Sequence, residues 1–190
     1  MVSNYTLLFQ VFRWQVLFKI IKNLFQSKQN FVVEKDKQTE QKVILEELIR
    51  QGEKEANRHN FDESLKCFDK AISIDPTYDY SYGDKALILS KIGKIDESLI
   101  LYSKALELNP KNPITWYNNG LTYFSLKKLD DAIKCFDKAI ENNDKYAKAW
   151  YSKGRCYDLQ GNAEKAQFCL NQAKKIDPLL FTKIKKVPIK

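Results

Sequence analysis

Apolar side chains recur along most of the chain at intervals of three and four residues, which is the spacing of one face of an α-helix. Between Trp116 and Ile140, two such apolar stripes are separated by the polar pair Lys127 and Lys128. This arrangement predicts two helices joined by a tight turn. Small residues, such as Gly120, leave gaps in both stripes, and the gaps recur elsewhere in the chain.

The pattern returns at a period of about 34 residues and occurs four times in succession. Two helices approach closely only where one surface lacks bulk, so we expect large rings to fill the space beside the small residues. The units align in five columns: Gly52, Ala86, Gly120 and Gly154; Ser64, Ser98, Ala132 and Ala166; Ala71, Ala105, Ala139 and Ala173; Phe68, Tyr102, Phe136 and Leu170; and Pro76, Pro110, Asp144 and Pro178.

Each unit is predicted to contain a first and a second helix separated by a short polar break. Three of the second helices should end before a proline, because proline disfavours helical geometry in the preceding residue. The predicted first helices span roughly 43–57, 79–91, 113–125 and 147–159, and the second helices span roughly 61–74, 95–108, 129–142 and 163–175.

The aligned columns resemble the tetratricopeptide repeat (TPR) family, whose pattern is Trp, Leu-Gly, Tyr, Ala-x3-Phe and Pro at a period of about 34 residues. The matching residues are Trp116, Gly120, Tyr123, Ala132 and Phe136, and then Trp150, Gly154, Tyr157 and Ala166. The departures are Gln51, Lys85, Asn119 and Lys153 in place of the Leu, and Leu48 and Tyr82 in place of the Trp. The resemblance implies an all-α fold, a right-handed superhelical α-solenoid of helix-turn-helix (TPR) repeats.

The repeats are predicted to occupy residues 45–180, with a different composition on either side. Two apolar columns that should face the following unit become Gln167 and Lys174 in the last unit, which predicts that the array ends there. The predicted divisions are an apolar basic N-terminal segment at 1–33, a polar linker or helix extension at 34–44, repeats at 45–78, 79–112, 113–146 and 147–180, and a basic tail at 181–190.

The net charge of +8 lies in the two ends of the chain. Residues 1–44 contain seven basic and three acidic residues, and residues 181–190 contain four lysines and no acid. The repeats between them contain equal numbers of basic and acidic side chains. A nucleic-acid interface needs a basic stripe on the folded surface, so this distribution argues against a nucleic-acid partner.

The four cysteines, the single histidine and the glycines indicate no catalytic or metal chemistry. Equivalent positions of adjacent repeats lie too far apart for a disulfide, so we expect small buried thiols in a reducing, cytoplasmic compartment. There is no CxxC pair, no nucleophile–base motif and no phosphate-binding glycine loop. We therefore expect no enzyme activity, no cofactor and no metal site.

The N-terminal segment 1–33 permits three interpretations. From Tyr5 to Phe25, most residues are apolar or aromatic, with basic residues between them. The segment is predicted to form a basic helix at a membrane surface, an N-terminal cap or groove-filling segment, or a cleaved or spanning signal. In the first case, the membrane-surface residues are Trp14, Phe18, Lys19 and Lys22.

The resemblance implies that the first helices line a concave groove that binds extended or helical peptides. The predicted groove residues are Tyr80, Leu87, Ile114, Tyr117, Asn118, Leu121, Phe124, Lys148, Tyr151 and Arg155. Two cations and an amide suit a carboxylate, so we expect a protein partner with apolar residues and an acidic side chain or free C-terminus. Alternatively, the cations form a solvated face and part of the aromatic stripe contacts neighbouring helices.

The leading functional hypothesis is therefore a non-enzymatic adaptor that binds a peptide segment and is peripheral to a membrane if segment 1–33 attaches there. The alternative is a self-associating or autoinhibited protein, including a homodimer, whose N-terminal helix fills a groove. One TPR subclass holds chaperone C-termini with a clamp of Lys, Asn, Asn, Lys and Arg. Only Asn118 and Lys148 match that clamp, so the chain is not expected to be a chaperone clamp.

Overall fold

The structure is a computed structural model that describes residues 3–180. Within the first helix, it describes the side chains of residue 19, residues 22–30 and residue 37 onward. All regular structure in the described residues is α-helical. The helices are α1 (Ser3–Asn57), α2 (Phe61–Ile74), α3 (Asp79–Lys91), α4 (Ile95–Leu108), α5 (Pro113–Ser125), α6 (Leu129–Asn142), α7 (Ala147–Leu159) and α8 (Ala163–Ile176).

The predicted limits of α2 to α8 agree with the structure to within one residue, whereas the beginning of α1 does not. Helix α1 begins at Ser3 and passes without a break through residues 34–44. No glycine or proline precedes Gly52, so no residue in this stretch disfavours the helix strongly. The chain divides into two compact units, one up to Glu47 and one from Leu48 onward.

Large rings fill the gaps beside the small residues, as predicted. A Cβ atom added to Gly120 would lie 2.6 Å from Cε1 of Phe136, and one added to Gly52 would lie 2.9 Å from Cε1 of Phe68. Both rings are buried, so the missing side chains allow the two helices of a unit to pack closely. In the fourth unit, Leu170 takes the place of the ring.

In the first unit and again in the second, a serine of the second column forms a hydrogen bond between the two helices of its own unit. Ser64 Oγ donates a hydrogen bond of 2.8 Å to the carbonyl oxygen of Gly52. Ser98 Oγ donates one of 2.7 Å to the carbonyl oxygen of Ala86. Both serines are fully buried, so each hydrogen bond satisfies a hydroxyl that is shielded from water.

The turn between the two helices of each unit contains one residue with a left-handed backbone. These residues occupy equivalent positions in the four units and have φ values of 63° at His59, 85° at Gly93, 58° at Lys127 and 75° at Gly161. In the first unit, the N–H of the following residue, Asn60, donates a hydrogen bond to the carbonyl of Glu55. The corresponding bonds in the other units close the same helix-ending turn.

The second helices end at an Asp or Asn in every unit, including the unit that lacks the proline. The backbones of Asp75, Asn109, Asn143 and Asp177 leave the helical conformation. Each side-chain oxygen accepts a hydrogen bond from the backbone N–H two residues later, as between Asn143 and Lys145 at 3.1 Å. This side-chain turn explains why Asp144 can replace proline without extending α6.

The second helix of each of the first three units packs against the first helix of the next unit. Helix α2 packs against α3, α4 against α5, and α6 against α7. The first helices also meet directly, α3 with α5 and α5 with α7, whereas α4, α6 and α8 make no comparable contact with one another. Within the unit that begins at Leu48, α3, α5 and α7 therefore lie closer together than α4, α6 and α8, which places them on the inner side of this helical stack.

Two lysines that depart from the family pattern connect adjacent units by ion pairs. Lys85 Nζ lies 2.5 Å from Asp69 Oδ1, and Lys153 Nζ lies 2.5 Å from Asp137 Oδ1. Each lysine lies on a first helix and reaches the second helix of the preceding unit. Lys85 and Lys153 therefore contribute to unit packing where the family pattern has a leucine.

Candidate functional site

The ten predicted groove residues lie on α3, α5 and α7, and none of their side chains is buried. Tyr80, Ile114 and Lys148 are exposed, and the others are half-buried. Other residues of the same helices, such as Ile88, Thr115 and Cys156, are buried. The two sets lie on different sides of the helices, so the predicted groove residues remain accessible to a partner.

The aromatic side chains at the centre of this surface contact both each other and the core. The ring centroid of Tyr117 lies 5.0 Å from that of Tyr146 and 5.8 Å from that of Phe136. Tyr117, Leu121 and Phe124 pack against a core cluster that contains Phe136. Burial raises the pKa of Tyr117, and it raises the pKa of Tyr146 to about 12. These packed side chains form the apolar centre of the predicted groove surface.

Two cations on α7 flank the fourth-unit part of the surface. Arg155 donates a hydrogen bond of 3.2 Å from one of its guanidinium nitrogens to Tyr151 Oη, and Lys148 is exposed. Among the described residues, neither cation forms an ion pair, whereas Lys153 on the same helix is paired with Asp137. Lys148 and Arg155 therefore keep their charges available for an acidic group.

A pocket of about 350 Å³ lies between the end of α1, α2 and α3. Buried apolar side chains form its floor, and charged side chains line its sides. Of the predicted groove residues, only Leu87 takes part. The lining residues are Glu53, Ala56, Asn57, Phe68, Asp84, Leu87, Ile88 and Lys91.

Asp84 is the most perturbed group in this pocket, and the predicted groove residues did not include it. Its carboxylate forms no hydrogen bond or ion pair with the described residues. Burial raises the pKa of Asp84 to about 7, and the neighbouring carboxylates of Glu53 and Asp79 contribute to the rise. Asp84 follows Tyr80 by four positions and precedes Leu87 by three, so helical spacing alone would have placed it on the groove face.

A buried hydrogen bond fixes α5 relative to α3 near this pocket. Asn112 Nδ2 donates to Asp79 Oδ2 at 2.6 Å. The side-chain oxygen of Asn112 also accepts hydrogen bonds from the backbone N–H groups of Ile114 and Thr115 at the beginning of α5. Asp79 is thus already satisfied by a buried amide, which distinguishes it from Asp84.

The four cysteines, Cys67, Cys135, Cys156 and Cys169, are buried and free, in agreement with the prediction of small buried side chains. Burial raises the pKa of each thiol, to about 12 for Cys135 and Cys156, so thiolate chemistry is disfavoured. Within residues 3–180, no group of three or more His, Cys, Asp or Glu side chains is arranged to hold a metal ion.

Two of the four predicted membrane-surface residues have described side chains. Lys19 and Lys22 are exposed on α1, whereas the side chains of Trp14 and Phe18 lie outside the described residues. Close to the lysines in sequence, Leu24 and Phe25 are 64% and 63% exposed. Among the described residues, no helix has the length and apolar character needed to cross a membrane.

The sequence matches family models described as "Tetratricopeptide repeat" at residues 113–146 and at 67–100 and 135–168, and one described as "TPR repeat" at 86–126. Together they cover residues 67–168 of an all-helical repeat structure. The chain belongs to the tetratricopeptide repeat family. The TPR fold is a protein-interaction scaffold, and proteins of this family are generally non-enzymatic interaction modules. No protein of curated function matches the sequence.

Solved TPR structures resemble this chain in fold. The MamA crystal structure is 21% identical, with coverage of 74% of this chain and 81% of MamA and a TM-score of 0.63. PilF of Pseudomonas aeruginosa is 16% identical and has a TM-score of 0.69, and the match covers 76% of this chain and 71% of PilF. The first TPR of Spaghetti (RPAP3), bound to the HSP90 peptide SRMEEVD, is 20% identical and has a TM-score of 0.57. The match covers 62% of this chain and 93% of the RPAP3 chain.

Proposed function

We propose that this TPR protein is an adaptor that binds a peptide segment of a partner along the inner side of α3, α5 and α7. The observation that carries the proposal is the row of ten accessible groove residues on helices whose other sides are buried. Aromatic and apolar residues dominate its centre, and such residues supply much of the energy of peptide and protein interfaces. A structure of similar fold, the first TPR of RPAP3, contains a bound peptide.

The charges at the fourth unit suggest the chemistry of one part of the peptide. Lys148 and Arg155 have no carboxylate partner among the described residues, and Arg155 is half-buried beside Tyr151. A partner carboxylate would form charge-assisted hydrogen bonds with these cations. The preferred peptide has apolar residues at its centre and an acidic side chain or free C-terminus beside α7.

A random peptide library selected on the full chain tests this function and does not require that the partner be identified first. We expect peptides with apolar residues and a carboxylate. The double substitution Lys148→Glu/Arg155→Glu should weaken the selected peptides at least about tenfold, which corresponds to about 1.4 kcal/mol.

The matched control is Lys174→Glu/Lys175→Glu, which makes the same charge change at two exposed positions of α8. This control should leave peptide affinity within about twofold, since rim charges distant from the site contribute little. Selection of no peptide would overturn the groove function. Equal weakening by both double substitutions would show that net charge, and not the α7 cations, determines the affinity.

A second role for α1, attachment to a membrane surface, is favoured by the exposure of Leu24 and Phe25 near Lys19 and Lys22. Apolar side chains beside cations suit the interface of an anionic bilayer. Leu24→Asp/Phe25→Asp should reduce partition to vesicles of phosphatidylserine and phosphatidylcholine at least about fivefold. Gln167→Asp/Asn171→Asp makes the same charge change at two exposed amides of α8, away from α1, and serves as the control.

The same exposed side chains also suit contact with a second copy of the chain. In that case, the vesicle experiment shows no partition of the unaltered protein, and sedimentation shows a mass that increases with concentration. Leu24→Asp/Phe25→Asp should then return the protein to a monomer. The two measurements therefore separate membrane attachment from self-association through α1.

A further inference from the structure

The pocket between α1, α2 and α3 combines an apolar floor with negative charge at its sides. Phe68 and Ile88 are buried at 1% and 2% exposure, and both line the pocket. The carboxyl groups of Glu53 and Asp84 reach it from two different helices. A volume of about 350 Å³ lies at the lower end of the range for ligand pockets, which suits one long side chain.

The negative charge is not neutralised within the described part of the protein. Lys91 lines the same pocket, yet it forms no ion pair with either Glu53 or Asp84. Elsewhere in the array, lysines pair with acids three positions away, as in Lys66–Glu63 at 2.7 Å and Lys138–Glu141 at 2.6 Å. Asp84 is therefore an unpaired, half-buried acid that a cation from outside could satisfy.

We propose that this pocket binds a lysine or arginine side chain of the peptide that occupies the groove. The aliphatic stem would lie on Phe68, Leu87 and Ile88, and the cationic head would lie between the carboxylates of Glu53 and Asp84. An acidic side chain would meet two like charges there and is disfavoured. The inference rests on the proposed peptide-binding function and adds a basic residue to the peptide, far from the carboxylate that α7 binds.

The affinity for the basic residue should depend on pH because Asp84 must be ionised to attract it. Four other titratable or charged groups face Asp84: Glu53 from α1, Tyr102 from α4, and Asp79 and Lys91 from its own helix. Burial raises the pKa of Asp84 to about 7, so a larger fraction of the group is neutral at pH 6 than at pH 8. The bound cation favours the ionised carboxylate, so affinity should fall severalfold as pH decreases from 8 to 6.

A double-mutant cycle on the full chain tests the pocket. The probe is the tightest peptide from the random library, in which each lysine or arginine is replaced in turn by norleucine, a residue of similar length without charge. We expect one replacement to weaken binding at least about tenfold to the unaltered protein and less than about twofold to Asp84→Asn. The fall in affinity between pH 8 and pH 6 should also disappear in Asp84→Asn.

The possible outcomes separate the pocket from the groove. Peptides whose norleucine replacements bind the unaltered protein equally well would overturn the pocket and leave the groove intact. The pocket would also be overturned if norleucine replacement weakened binding to Asp84→Asn and to Glu53→Gln as much as it weakens binding to the unaltered protein. Selection of no peptide would overturn both. Because Asn is nearly isosteric with Asp, Asp84→Asn should fold, and its helical circular dichroism verifies this.

Discussion

The first and fourth repeats have the same backbone plan and opposite charge at an equivalent groove position. Glu53 lines the pocket at the end of α1, and Arg155 occupies the corresponding position on α7, three repeats later. The two positions between them are Leu87 and Leu121. This column thus changes from acid to apolar to cation along the array, whereas the packing columns keep small and large residues in all four repeats.

This difference separates the positions that set the scaffold from those that would contact a partner under the proposed function. Packing positions such as Gly52 and Phe68 are constrained, because a Cβ added to the glycine would lie 2.9 Å from the ring. Groove positions face an accessible surface and can change charge without altering the packing. A peptide that meets opposite charges at the two ends can bind in only one direction, which a uniform groove would not enforce.

Replacement of Asp84 by Asn should have the largest effect, because Asp84, on the second repeat, lines the same pocket as Glu53 and carries the buried charge of this acidic end of the array. The raised pKa means that folded Asp84 holds a proton between pH 4 and pH 7 that the unfolded chain has released. Stability therefore decreases as pH rises through this window and remains lowered above it. Asp84→Asn should stabilise the protein by about 2–4 kcal/mol at pH 8 and by little near pH 4.

The measurement is urea unfolding of the unaltered protein and the variant at pH 4.5, 6 and 8. Arg155→Gln removes a charge from the fourth repeat and serves as the comparison, and it should alter stability by less than about 1 kcal/mol at every pH. If Asp84→Asn is no more stable than the unaltered protein at pH 8, the ionised Asp84 carboxylate does not destabilise the folded protein. Asp84 and Arg155 would then differ in their effect on affinity alone.

Packing of the two end repeats should differ in its tolerance of added volume. A Cβ at Gly52 would lie 2.9 Å from two atoms of the buried Phe68 ring, whereas at Gly154 it would lie 3.1 Å from Cγ of Leu170 and 3.2 Å from the backbone oxygen of Ala166. Overpacking costs about 1–3 kcal/mol, and alanine in a helix recovers about 1 kcal/mol relative to glycine. Gly52→Ala should lower the free energy of unfolding by about 1–2 kcal/mol, and Gly154→Ala should leave it nearly unchanged.

Thermal and urea unfolding of both glycine variants checks this expectation. The second repeat already has Ala86 opposite Tyr102, so alanine is compatible with the fold when the ring is placed to accept it. Equal losses in Gly52→Ala and Gly154→Ala would mean that the surroundings of Gly154 adjust no more readily than the Phe68 ring does. The end repeats would then be alike in packing as well as in backbone.

The fold could be predicted from the sequence wherever local signals and the repeat agreed. Helices α2 to α8 match because proline, Asp or Asn, and the left-handed turn residue mark their ends in nearly every unit. The beginning of α1 could not be predicted in the same way. Residues 34–44 are polar helix formers, and their composition suits a linker and a helix equally well.

The pocket illustrates why the candidate site was harder to predict than the fold. In sequence, Asp84 is one more polar residue on an amphipathic helix, and a charge on such a helix is usually solvated. The other helices that line its pocket, α1 and α2, contribute residues that lie many positions away in the sequence. Glu53 belongs to the preceding helix pair, and only the folded chain brings it next to Asp84.

The turn in each end repeat gives the smallest expected effect. Gly161 and His59 occupy the same left-handed position, with φ values of 75° and 63°. Nothing lies within 4 Å of an added Cβ at Gly161, so Gly161→Ala should cost only the backbone penalty of about 1 kcal/mol. His59→Gly relieves that penalty but increases the conformational entropy of the unfolded chain. It also removes the contact between the His59 and Phe61 rings, whose centroids lie 5.8 Å apart.

The gain and the losses in His59→Gly are of similar size, so its stability should remain within about 0.5 kcal/mol of the unaltered protein. Urea unfolding midpoints of His59→Gly and Gly161→Ala, measured side by side, check the asymmetry. If Gly161→Ala proved neutral, the turn would adapt to a side chain at no cost. Histidine in the first repeat and glycine in the fourth would then be interchangeable, and the ends of the array would differ only where the groove carries charge.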